Sequence, residues 1–73
     1  MKSNELLQEE VKEALQWEPH LEAVQIKVIA KDGNVTLSGI VNSNYQKEEA
    51  ERIVWNYPGV DTVDNQMIID VDL

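Results

Sequence analysis

Lys31-Asp32-Gly33-Asn34-Val35-Thr36-Leu37-Ser38-Gly39-Ile40-Val41 holds a tight turn and a complete strand in one run. Asp32-Gly33 is a hairpin dipeptide, because glycine reaches positive φ with no Cβ penalty. Beyond it, Val35, Leu37, Gly39 and Val41 point to one side, and Thr36, Ser38 and Ile40 to the other. Before it, Ile26, Val28 and Ala30 alternate with Lys27 and Ile29. The two runs, about Val24 to Lys31 and Asn34 to Val41, predict a β-hairpin with one buried face.

Helices are expected on both sides of the hairpin. From Asn4 to about Trp17, Leu7, Val11, Ala14 and Leu15 follow the i, i+4, i+7, i+8 spacing of a buried helical face, with Leu6 on its flank. Ser3 or Asn4 can cap its start, and Pro19 stops it. Glu18 to Ala23 connect it to the first strand. Ser43 opens a second helix, with Gln46 three positions on as in a capping box. Ala50, Ile53, Val54 and Tyr57 form its apolar stripe, and Pro58-Gly59 ends it. From Thr62 to Val71, Val63, Met67, Ile69 and Val71 alternate with Thr62, Asp64, Gln66, Ile68 and Asp70, which predicts a last strand. Asn65 falls on its apolar side, so it is expected at a rim or with its amide hydrogen-bonded.

The fold class is therefore α+β. The order α-β-β-α-β gives a three-stranded sheet with two helices packed on one face. The β-α-β connection is expected to be right-handed. The first strand is placed at the centre, antiparallel to both neighbours, with the second and third strands at the edges. Residues 1–73 are read as a single domain, since so short a chain makes one at most.

The 73 residues carry fourteen Asp and Glu against six Lys and Arg, a net charge of -8. Polyanions are repelled by such a surface, so no nucleic acid is expected as a partner. There is no cysteine, which excludes disulfides and thiolate metal sites. Met1 to Glu5 shows no apolar signal segment. The expected compartment is the cytoplasm if Met1 is the native start, and the periplasm if the chain is an excised domain.

Reactive chemistry finds little support. His20 is the only histidine, and no motif supplies a nucleophile or acid beside it. Glu5, Glu9 and Glu13, with Glu10 beside them, read as a solvated acidic ridge on the first helix. Asp61, Asp64, Asp70 and Asp72 gather toward the C-terminus, but hard-cation sites need several converging oxygens. Turn carbonyls near Asp32 or Asp61 are the one place where a weakly held hydrated cation is considered. Trp17 and Trp55 suit the edge of the core, with membrane-interface anchoring as the alternative. No catalytic residue, metal ligand or cofactor loop is assigned; Asp32, Gly33, Gly39, Pro58 and Gly59 serve turns and packing.

Over essentially its whole length the chain resembles the BON domain, named after bacterial osmotically inducible protein Y and nodulation proteins. The likeness rests on Trp17-Glu18-Pro19, Ile26 and Val28, and above all on Asp32-Gly33-Asn34-Val35-Thr36-Leu37-Ser38-Gly39. Glu49-Ala50-Glu51-Arg52-Ile53 and Pro58-Gly59-Val60-Asp61-Thr62-Val63-Asp64-Asn65 extend it. The resemblance implies a small non-enzymatic binding module associated with osmotic or envelope stress. It also implies phospholipid as a ligand class, and potassium sensing as a further possibility, since one relative is reported to sense that ion.

On the outer sheet face, Ile29, Ile40 and Ile68 are expected to align, with Lys27 beside them. An apolar patch rimmed by polar groups marks a contact surface. This predicts binding of a protein partner, or self-association, through that face and an adjacent edge.

Overall fold

The computed structural model describes residues 3–21 and 25–70. The first helix, α1 (Asn4–Gln16), begins where Ser3 caps it, the Ser3 Oγ accepting from the Leu6 N–H at 3.1 Å. Its buried residues are Leu7, Val11 and Leu15, as their spacing requires. A 3₁₀ turn at Pro19–Leu21 follows and sinks Leu21 into the core. Val24, where the first strand was expected to begin, lies outside the described residues, as does Val71 at the end of the last.

The strands β1 (Gln25–Lys31) and β2 (Asn34–Val41) pair antiparallel from Lys31↔Asn34 to Gln25↔Ile40. The turn has φ of 52° at Asp32 and 84° at Gly33, both positive, as the tight hairpin requires. Gly33 is also crowded: a Cβ there would stand 2.3 Å from an Asp61 carboxylate oxygen. Its carbonyl accepts from the N–H groups of Asp61 (2.7 Å) and Thr62 (3.2 Å), which ties the last strand to the hairpin turn.

The second helix, α2 (Asn44–Trp55), starts at the Ser43 cap. Gln46 donates its N–H to Ser43 Oγ, while its Oε1 reaches back to the Asn42 N–H at 2.6 Å, one residue before the usual capping-box target. Ala50 and Val54 are fully buried, with Ile53 and Tyr57 packed against the core. Tyr57 donates its hydroxyl hydrogen to Glu10 Oε2 at 2.8 Å, clasping the end of this helix to α1.

The last segment forms β3 (Thr62–Asn65) and β4 (Ile68–Ile69), and here the strand order departs from expectation. β2 is the central strand; β1 lies on one side of it, and β3 and β4 on the other. β3 and β4 run parallel to β2, from Asn34↔Thr62 to Val41↔Ile69. The reason is the α2 crossover: β2, helix and β3 form a βαβ unit, whose two strands run parallel and here lie side by side. Burial fits this order, since Val35, Leu37 and Val41 of β2 are at most 1% exposed.

The sheet counts four strands rather than three, because the last one is interrupted. Both pieces keep the same register against β2, so β3 and β4 are one edge strand broken at Gln66-Met67. The break sits opposite Gly39, which has φ of 126° and whose Cβ would meet the Gln25 carbonyl oxygen at 2.0 Å. Met67, level with Gly39 by that register, is 2% exposed and fills the layer to which Gly39 contributes no side chain. Asn65 is hydrogen-bonded as its position demands: Nδ2 donates to the Lys47 carbonyl (3.0 Å) and Oδ1 accepts from the Met67 N–H (3.2 Å).

Candidate interaction surface

The helices cover the sheet face bearing Val28, Ala30, Val35, Leu37 and Val41. The opposite face carries Gln25, Lys27, Ile29 and Lys31 from β1, then Asn34, Thr36, Ser38 and Ile40 from β2. Thr62, Asp64, Gln66 and Ile68 complete it along the last edge. The register arranges these side chains in rows. Gln25, Ile40 and Ile68 form the row at one end, Lys27 and Ser38 lie in the next, and Ile29, Thr36 and Asp64 in the third.

Ile40 and Ile68 are therefore side by side, 41% and 65% exposed. Ile29 is 47% exposed but stands two rows further along and one strand across, roughly 14 Å away by strand geometry. Lys27 and Ser38 fill the intervening row. The structure thus brings together two of the three isoleucines, with Lys27 on their border and Ile29 apart.

More apolar surface collects at the same end of the domain. Ile69 and Tyr45 are exposed there, and Tyr45 meets the His20 ring edge-on at a centroid distance of 5.4 Å. Trp17, at the end of α1, is 79% exposed and projects into solvent rather than packing at the core edge. Trp55, at the far end of α2, is about half exposed.

The candidate reactive groups do not converge. His20 Nε2 lies 4.0 Å from Glu18 Oε1, and the imidazole has no nucleophile beside it among the described contacts. Glu5, Glu9 and Glu13 stay in solvent, while Glu10 is held by Tyr57. That bond, first, and then burial raise the Tyr57 hydroxyl above its ordinary value of 10.0. Glu49 is lowered from its ordinary carboxylate value by its hydrogen bond to Arg52. Among the described residues, no three His, Asp or Glu side chains gather as metal ligands would. Near Asp32 and Asp61, the Gly33 carbonyl is already taken by two N–H donors. Asp32, Gly33 and Gly39 keep the turn and packing roles described above; Pro58 and Gly59 lie in the exposed turn after α2.

Sequence periodicity could not reveal how α1 treats the sheet edge. Gln8 Oε1 accepts from the Ala30 N–H at 3.1 Å, and Asn4 Oδ1 from the Asp32 N–H at 2.8 Å. The only trace in sequence is a pair of amide side chains four residues apart on one flank of an amphipathic helix.

Two amphipathic helices thus cover one side of a small mixed sheet and leave apolar side chains bare on the other. The BON domain family model matches residues 3–70, nearly the whole chain, and the protein belongs to that family. BON domains are binding-type rather than catalytic modules, thought to bind phospholipid or mediate interactions and linked to stress. Comparison with curated proteins returns no match.

Proposed function

We propose that this chain is a non-enzymatic BON module that docks a protein partner through its outer sheet face, centred on Ile40 and Ile68. The observation that carries this is the adjacency of those two exposed side chains in one sheet row. Gln25, Lys27, Ser38 and Gln66 surround them with polar groups, the arrangement of an apolar contact with a polar rim. A net charge of -8 weakens the case for an anionic membrane as the occupant.

The test compares the native chain with an Ile40→Lys, Ile68→Lys double variant, in affinity capture from bacterial extract and in sedimentation. A defined partner lost on substitution supports the reading. Self-association lost on substitution would make the partner a second copy. Identical capture and sedimentation for both chains contradict it.

A second reading, phospholipid binding, is favoured by the exposure of Trp17 and Tyr45 at the same end as Ile40 and Ile68. Flotation with zwitterionic and anionic vesicles tests it. Binding that persists in salt and falls with Trp17→Ala supports an apolar membrane mode, and absence of flotation removes it.

A further inference from the structure

The outer edge of β1 is sealed only at its hairpin end. Its residues with even numbers turn their N–H groups away from β2, as the pairing at the two-residue turn requires. Of these, the Ala30 N–H is capped by Gln8, and just beyond the strand the N–H of the turn residue Asp32 is capped by Asn4. The caps follow a shared pitch. Four residues of helix rise about 6 Å, and two residues of strand about 6.6 Å, so successive helical turns meet successive outward N–H groups.

The same step would bring Lys12 level with Val28 and Gln16 level with Ile26. A lysine ammonium has three donors and no acceptor, so it cannot cap an N–H group. Gln16 lines one shallow groove with Gln25, Ile26, Lys27, Ser38 and Gly39. Among the described residues, Ile26 and Val28 donate to no side chain or turn carbonyl. The sealed hairpin end thus gives way to an open window with a groove alongside it.

We propose that this window, Ile26 to Val28, is a strand-addition site for an extended segment of another protein carrying a carboxylate opposite Lys27. An added strand would exchange hydrogen bonds with Ile26 and Val28, and its intervening side chain would meet Lys27 on the outer face. No carboxylate stands in the row of Lys27, where its partner across the sheet is Ser38. A second copy of this chain fits poorly. Antiparallel pairing about the window sets Lys27 against its own counterpart, and like charges directly opposite are destabilising. The edge thus selects by charge; it shares Lys27 with the rim of the isoleucine pair but uses the backbone of Ile26 and Val28 rather than the isoleucine side chains.

Amide hydrogen exchange with blocked pentapeptides tests this, in about 0.15 M salt so that distant carboxylates are screened. The probes are Thr-Val-Glu-Val-Thr and Thr-Val-Lys-Val-Thr. The glutamate peptide is expected to slow exchange at Ile26 and Val28 by at least about threefold, leaving Ala30 and Asp32 little changed. Lys27→Glu abolishes that effect. Lys12→Gln, which adds a third cap, slows Val28 in the free protein and weakens the peptide's effect. No slowing at Ile26 and Val28, or equal slowing by both peptides, overturns the proposal. So does a free protein in which Ile26 and Val28 are already as protected as Ala30.

Discussion

The two faces of this sheet are built from the same strands and differ in what covers them. On the inner face, Leu37 and Val41 are fully buried beneath two helices, and Met67 fills the layer that Gly39 leaves empty. On the outer face, Ile40 and Ile68 have comparable apolar bulk and no cover. Hydrophobicity alone therefore does not assign a side chain to the fold. Side chains of the same apolar class stabilise the domain on one face and remain available for contact on the other, because burial rather than composition contributes the free energy.

The sharpest way to break that contrast is to truncate both faces. Leu37→Ala empties a site with 0% exposure on the central strand, and urea unfolding should show a loss of about 2–5 kcal/mol. Ile40→Ala, on the adjoining outer face, should cost less than about 1 kcal/mol. Gly39→Ala is expected to cost about 1–3 kcal/mol, since alanine must adopt φ of 126° against the Gln25 carbonyl. A stability near that of the native chain would contradict the account of the broken edge strand. Ser43→Ala should lower stability by about 1 kcal/mol through loss of the α2 cap, read by the same unfolding.

The smallest effect concerns pH. The folded-state value of Tyr57 is raised above 10.0, so the protonated hydroxyl contributes stability below the unfolded value. That contribution is lost as pH rises through the folded value. Tyr57→Phe should remove this part of the alkaline dependence, measured by thermal unfolding across the range around and above pH 10. An unchanged alkaline profile would show that the clasp to Glu10 plays no part.

The inner face was legible in sequence because periodicity reports burial directly. Leu7, Val11 and Leu15 at helical spacing, and Val35, Leu37 and Val41 at strand spacing, are core residues where their pattern places them. Ser3, Ser43 and the Asp32-Gly33 turn were equally legible, since each depends on chemistry within a few residues. Strand order was not. It depends on which strand the α2 crossover returns to, and alternation within a strand carries no information about its neighbours. The break at Gln66-Met67 was hidden for the same reason, because Gly39, which stands opposite it, lies on another strand.

On the outer face, the exposure of Ile29, Ile40 and Ile68 followed from alternation, but their spacing did not. Register places Ile68 beside Ile40 and sets Ile29 two rows off. The edge caps at Asn4 and Gln8 were beyond reach as well, since they depend on the match between helical and strand rise where α1 lies along β1.

Urea unfolding of the Ile40→Lys, Ile68→Lys double variant asks most directly whether the outer face is held apart from the fold. The account predicts a cooperative transition within about 1 kcal/mol of the native chain. A loss as large as that of Leu37→Ala would mean that these isoleucines are structural, and the proposed contact surface would fall with that result.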